Sequence, residues 1–206
     1  EEVKQIVTIT LNNPKYKNAL SEDLTPYLRK ILKKISEDSK YKLLIIRGQG
    51  NSFCSGGNVK KMLTNDRNKS ISVKSKVNLL IKKQIELTYL ISSLKIPTIA
   101  VVTGAAAGAG FSLALSCDIR IGNSNAFFLS NYSKIGLSGD YGISWYLVKI
   151  LGVSKAKEIM FFNERIHSKK AYELGILNYL IYDNFDLELD KIINNIVSQP
   201  ISALKL

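Results

Sequence analysis

The sequence predicts an α/β fold, and three observations predict it. Short apolar strands alternate with amphipathic stretches along the chain. Two segments, residues 43–60 and 98–114, each run from an apolar strand through a small-residue loop into a helix start. Apolar residues make up 46% of the 206, which suits one domain with a sizeable core and argues against disorder.

The elements follow in order. Residues 5–11 alternate apolar and polar, as a half-buried strand does. Asn12-Asn13-Pro14 is a turn. Ser21 caps a helix with Glu22 and Asp23 in its first turn, where the helix dipole favours acids. Leu24, Leu28, Ile31, Leu32 and Ile35 carry that helix's apolar face, and Pro26 falls early enough to be tolerated. Residues 43–47 read as a buried strand turned by Gly48-Gln49-Gly50. Residues 53–60 form a tight loop entering a short helix, and residues 65–75 are polar. Val77, Leu80, Ile81, Ile85 and Leu90 predict a long amphipathic helix ending before Pro97. Residues 98–103 are a third buried strand, a helix runs through Phe111, Leu113 and Leu115, and 119–121 is a short strand. A loop at 131–140 leads to a helix over 141–151 that Gly152 closes. Ser154 caps the next helix, and Ser168 caps one closed by Gly175. A strand at 177–181 and a helix at 187–197 complete the chain.

Composition narrows the function classes. The longest apolar run, residues 96–109, is broken by Pro97, Gly104 and Gly108 and is too short to cross a bilayer. No signal peptide opens the chain, and both ends read as cut, with Glu1 in place of a Met. Two cysteines, Cys54 and Cys117, and a single histidine, His167, exclude a zinc site and a disulfide framework, and point to buried thiols in a reducing cytoplasm. The formal net charge of +12 calls for an acidic partner only if it is clustered, and the basic face Arg29, Lys30, Lys33, Lys34 reads as solvated.

The chemistry lies in the loops. Two small-residue loops opening helices offer unpaired backbone N–H groups that a ligand can approach closely. Taken singly, each loop also reads as glycines that permit a turn and close helix–strand packing; aimed at one point, the two would make an oxyanion hole from main chain alone. Neither loop is a G-x-G-x-x-G in frame with a ribose-binding acid, and neither is a P-loop. In Gly136-Leu137-Ser138-Gly139-Asp140-Tyr141-Gly142, Asp140 stands at the head of an apolar helix, either as its N-cap or as a general base. No Ser or Cys can be paired with His167 by sequence, which argues against a triad. Trp145 and the Phe127–Phe128 pair read as core or pocket wall.

In combination these segments resemble the crotonase (enoyl-CoA hydratase/isomerase) superfamily. Phe53-Cys54-Ser55-Gly56-Gly57-Asn58-Val59-Lys60-Lys61-Met62 is similar to the family signature, which forms half of the oxyanion hole and the coenzyme A adenine pocket. Asn12-Asn13-Pro14 through Asn18-Ala19-Leu20 resembles the coenzyme-A-contacting stretch near the family's N-terminus. Residues 97–120 resemble the second half of the hole. The likeness continues through residues 136–151 and 171–180, and so covers nearly the whole chain.

The resemblance implies a β-β-α spiral fold, with residues 1–185 as its core and 186–206 as the start of a C-terminal helical segment that is largely absent. It implies a homotrimer or a dimer of trimers, no bound cofactor, and coenzyme A only as part of an acyl-CoA thioester substrate. Gly57 and Ala109 would supply the two oxyanion N–H groups. Lys15, Lys17, Ala19, Cys54, Ser55, Asn58, Val59, Lys60, Gly108, Tyr132 and Trp145 would line the substrate and coenzyme A site.

The two glutamates of typical hydratases fall on Ser112 and Tyr132, and the signature's Asp is Asn58. Asp140 falls where the family's isomerases carry their catalytic acid, and its surroundings are similar to the epoxyphenylacetyl-CoA isomerase branch. The expected activity is therefore an enoyl-CoA isomerase working through one carboxylate. The competing readings are a hydratase, hydrolase or decarboxylase with water placed by Tyr132, Ser112 or Asp140; an RNA-binding family member using the Arg29–Lys34 face; and a non-catalytic scaffold. Nucleic acid and membrane are not expected partners.

Overall fold

The computed structural model describes residues 2–3, 5–57 and 72–204. Strand β1 (Glu2–Val3) pairs antiparallel with β2 (Ile6–Leu11). A 3-10 turn at Pro14–Tyr16 and helix α1 (Leu24–Glu37) lead to β3 (Leu43–Gly48) and β4 (Ser52–Cys54). Helix α2 (Val73–Gln84) continues through a π turn at Ile85–Tyr89 and a last turn at Leu90–Ser92. Strands β5 (Thr98–Val102) and β6 (Ala105–Ala107) precede helix α3 (Ala109–Leu115), then β7 (Ile119–Asn123) and β8 (Phe127–Leu129). Helices α4 (Ile143–Leu151) and α5 (Val153–Phe162), strand β9 (Ile166–His167) and helix α6 (Ser168–Glu173) follow. Strand β10 (Tyr179–Ile181) and helices α7 (Phe185–Ser198) and α8 (Ile201–Leu204) end the chain.

The chain winds as a spiral. Its large sheet has the order β1-β2-β3-β5-β7-β10, parallel from β2 onward, and its small sheet the order β4-β6-β8-β9. Each turn gives one strand to the large sheet and the next to the small one: β3 then β4, β5 then β6, β7 then β8. Parallel neighbours need a crossover, and the helix after each pair supplies it. Both faces of the large sheet are covered at its centre, so β3 and β5 are continuous apolar runs, while β2 alternates. Leu44, Ile46, Ala100 and Val102 face the main core, which contains Phe53, Phe111 and Phe128. Leu43, Ile45, Ile99, Val101 and Ile121 face the other way, where Leu189 and Ile193 of α7 cover them. The expected boundary at 185 thus falls at the first residue of a helix that packs on the sheet.

Several local expectations change in the folded chain. Residues 104–110, expected as a loop, contain strand β6, and Phe127–Leu129 is a strand as well; three-residue strands are too short to show a period. Ser21 does cap α1, its Oγ accepting from the Leu24 N–H at 3.1 Å. Ser154 caps nothing: α5 begins at Val153 behind Gly152. In α2 the expected apolar face is open. Val77, Leu80, Ile81 and Ile85 are exposed, and burial begins only at Leu87 and Thr88 within the π turn and continues at Ile91 after it. Among the described residues no helix is long and apolar enough to cross a membrane.

Candidate active site

The site begins with a buried asparagine. Asn18 is fully buried, and its side-chain amide donates to the carbonyls of Gln49 (3.0 Å) and Ser52 (2.7 Å) while its Oδ1 accepts from the Asn13 N–H (2.9 Å). Every polar atom of the side chain is thereby used, as burial demands. This pins the 13–20 loop to the turn between β3 and β4. The chain then zips onto the loop beyond β4: Ser55 N–H donates to Lys17 O (2.9 Å), Leu20 N–H to Gly56 O (2.8 Å), and Leu20 bridges Gly57.

The second loop docks against the first. Gly56 has φ +93, and a Cβ there would sit 2.6 Å from Ala107 O and 3.2 Å from Ala109 N. A Cβ on Gly110 would meet Cys54 O at 2.1 Å, so only glycine lets the first turn of α3 lie on β4. Gly108 precedes α3, and Ala109 is its first residue, whose N–H has no intrahelical acceptor. Among the described residues the N–H groups of Gly57 and Ala109 donate to no backbone carbonyl. Both residues line one cleft, together with Leu20, Ser55, Ala107, Gly108, Tyr132, Ile135, Leu137, Asp140 and Tyr141.

Asp140 is not a cap. The residue before α4 is Gly142, no side chain caps the helix, and the Asp140 main-chain carbonyl, not its carboxylate, takes the Ile143 N–H (3.2 Å). The carboxylate instead accepts from the Tyr132 hydroxyl, Oη to Oδ1, at 2.6 Å. Ser112 Oγ donates to the Asp140 main-chain carbonyl at 3.1 Å and lies 3.3 Å from Tyr132 Oη. Ser112, Tyr132 and Asp140 therefore form one network. Burial raises the Asp140 pKa above the usual carboxylate value, and the Tyr132 hydrogen bond opposes that rise by favouring the ionised form. Burial, and then the Asp140 charge, push the Tyr132 phenol well up, so it stays protonated and acts as a donor. Among the described lining residues Asp140 is the sole carboxylate.

The remaining expected residues divide. Ser55 lines the cleft, while its hydroxyl is turned to Tyr16 O at 3.2 Å. Lys15 and Lys17 are exposed on the 3-10 turn beside it, and Ala19 is buried in the same loop. Cys54 points into the core, and burial raises its thiol to about 12, so its part in the site is main-chain only. Asn58, Val59 and Lys60 lie outside the described residues, as does most of the polar stretch 65–75. Trp145 does not line the cleft. It is 53% exposed on the outer face of α4, under Lys149, because Tyr146 and Leu147 take the inward positions of that helix. His167 stands beside Phe127, away from the cleft.

Two features escaped the sequence. Arg29 is not simply solvated: it is half-buried, and donates to Lys83 O (3.3 Å) and to the Tyr141 hydroxyl (3.4 Å) at the cleft wall. Asn163, at the end of α5, accepts from Ser130 Oγ (2.6 Å) and donates to Ser133 Oγ, fastening the loop that carries Tyr132. Partners 112 and 33 positions apart leave no mark in local periodicity.

The model of the enoyl-CoA hydratase/isomerase family matches residues 1–205. The chain is 29% identical over 213 residues to 1,2-epoxyphenylacetyl-CoA isomerase of Escherichia coli (strain K12), covering 98% of this chain and 77% of that enzyme. It is 31% identical over 211 residues to the short-chain-enoyl-CoA hydratase of Clostridium acetobutylicum, covering 100% of this chain and 77% of the other. The crystal structure of an enoyl-CoA hydratase from Polaromonas sp. JS666 superposes with a TM-score of 0.85 at 31% identity, over 100% of this chain and 79% of its own. With its paired parallel sheets and the two small-residue loops meeting at one cleft, the chain belongs to the enoyl-CoA hydratase/isomerase family of the crotonase superfamily.

Proposed function

We propose that the protein is an enoyl-CoA isomerase that shifts a double bond with Asp140 as its one base. The observation that carries this reading is the single carboxylate among the described residues of the cleft wall. A 3-enoyl-CoA enters with its thioester oxygen against the N–H groups of Gly57 and Ala109. Asp140 takes a proton from C2, and the electron pair moves into the thioester to give a dienolate. The two N–H groups stabilise the oxygen's negative charge where it develops. The Asp140 carboxyl then returns its proton to C4, which leaves a 2-enoyl-CoA and restores the carboxylate. Coenzyme A takes part only as the carrier of the acyl group, with its phosphates toward Lys15 and Lys17.

Ordinary hydration asks more of this cleft. It needs a water held and activated by two groups, and the hydroxyls of Ser112 and Tyr132 are already engaged with Asp140. The printed name of the Clostridium relative keeps a hydratase as the second reading.

Asp140→Asn tests the assignment. General-base removal is expected to lower C2 proton exchange of an acyl-CoA by roughly 10²- to 10⁴-fold, with coenzyme A binding retained. Full exchange in the Asn variant, followed by NMR in D₂O, would contradict it.

A further inference from the structure

We propose that Tyr132 is the positioning residue of Asp140: it holds one carboxylate oxygen and leaves the other as the base. The inference rests on the reading of Asp140 as the base. Its ground is geometric. Tyr132 Oη donates to Asp140 Oδ1 at 2.6 Å, and Tyr132 is 4% exposed. With Oδ1 tied in a short, charge-assisted bond, Oδ2 takes no bond from another side chain among the described residues and is the oxygen left for a carbon acid.

The phenol is itself held from several sides. Its main-chain carbonyl accepts the N–H groups of Ile135 and Leu137, both at 3.0 Å. Ser130 and Ser133 on either side of it are fastened to Asn163. Ser112 Oγ closes the network from α3. An aromatic ring with few torsions, fixed at the backbone on both sides, sets the carboxylate with little freedom to spare. Orientation of this kind is what brings a base to its near-attack position.

The pair also sets the proton affinity of the base. Burial favours the neutral acid and the phenol hydrogen bond favours the carboxylate, so loss of the phenol raises the Asp140 pKa further. Asp140 works ionised, so the acid limb of the rate profile then moves to higher pH. The other titratable and charged groups around the pair are Tyr141, the Arg29 that contacts its hydroxyl, and the buried neutral thiol of Cys54.

The experiment measures 3-enoyl-CoA isomerisation and C2 proton exchange against pH for the wild type, Tyr132→Phe and Asp140→Asn, with a ¹³C titration of the Asp140 carboxyl. Tyr132→Phe is expected to lower kcat by roughly tenfold to a hundredfold with KM little changed, and to raise both the acid limb and the carboxyl titration. A merely structural role leaves the acid limb where it is. If the Phe variant does not fold, 3-fluorotyrosine at position 132 replaces it. That more acidic phenol donates more strongly and moves the limb to lower pH. An unchanged limb in whichever variant folds, with exchange still lost in Asp140→Asn, overturns the positioning role alone. A wild type without exchange, or an Asp140→Asn variant that keeps it, overturns the base assignment and this inference with it.

Discussion

Cys54 and Cys117 are both fully enclosed, and burial raises each thiol from its ordinary range to about 12. The folded chain therefore holds these protons more tightly than the unfolded one, whose thiols ionise at roughly 8.5. Their contribution to stability is whole below that value and is lost as pH climbs from about 8.5 toward 12. Denaturant titrations across this window should show stability falling, and Cys117→Ala should flatten part of the fall. Iodoacetamide at pH 8 should leave both thiols and the activity intact; rapid alkylation of the native protein would refute their burial. Asn18 sits beneath the site in the same way. Asn18→Ala strands the acceptors on Gln49 and Ser52 and is expected to cost about 1–3 kcal/mol. These residues were differently legible. The thiols' burial follows from composition and apolar context, and the resemblance singled out Asp140, Gly57 and Ala109. The bonds among Ser112, Tyr132 and Asp140 were not legible, because they join a helix to a loop through the folded interior.

At the scale of elements, the two loops converge because glycine lets backbones touch. Gly110→Val would force α3 away from Cys54 O, and overpacking of this kind costs typically about 1–3 kcal/mol. The Ala109 N–H moves with the helix, so the variant should lose isomerisation more steeply than it loses melting temperature. Equal activity in a stably folded Gly110→Val protein would separate that N–H from catalysis. Helix α1 was readable from its period and β3 and β5 from their continuous apolar runs, and α4 and α7 were expected within two residues of where they lie. β6, β8 and β9 were not, because two or three residues carry no period and their existence depends on neighbouring turns of the spiral. In α2 the period was real but its burial was not: the described residues leave Val77, Leu80, Ile81 and Ile85 between 43% and 51% exposed. Periodicity shows that a face is apolar, not what covers it.

At the scale of the molecule, the large sheet needs cover on both sides. The main core and the cleft occupy one face, and α7 closes the other with Leu189 and Ile193. Leu189→Ala should therefore destabilise by about 2–5 kcal/mol although it lies on the opposite face of the sheet from the cleft. Chemical denaturation, with activity compared per folded molecule, checks both halves of that statement. The division of labour is consistent throughout: apolar strands set the frame, small residues bring the loops together, and a few polar side chains aim one carboxylate into the cleft.

The most direct test of that account is a parallel assay of the purified protein with 3-enoyl-CoA and 2-enoyl-CoA. Conjugation of the 3-enoyl substrate, absent in Asp140→Asn, without hydration of the 2-enoyl substrate is the predicted result. Loss of the conjugated enoyl absorbance from the 2-enoyl substrate would contradict it, because water would then be activated at a site with one carboxylate among its described residues.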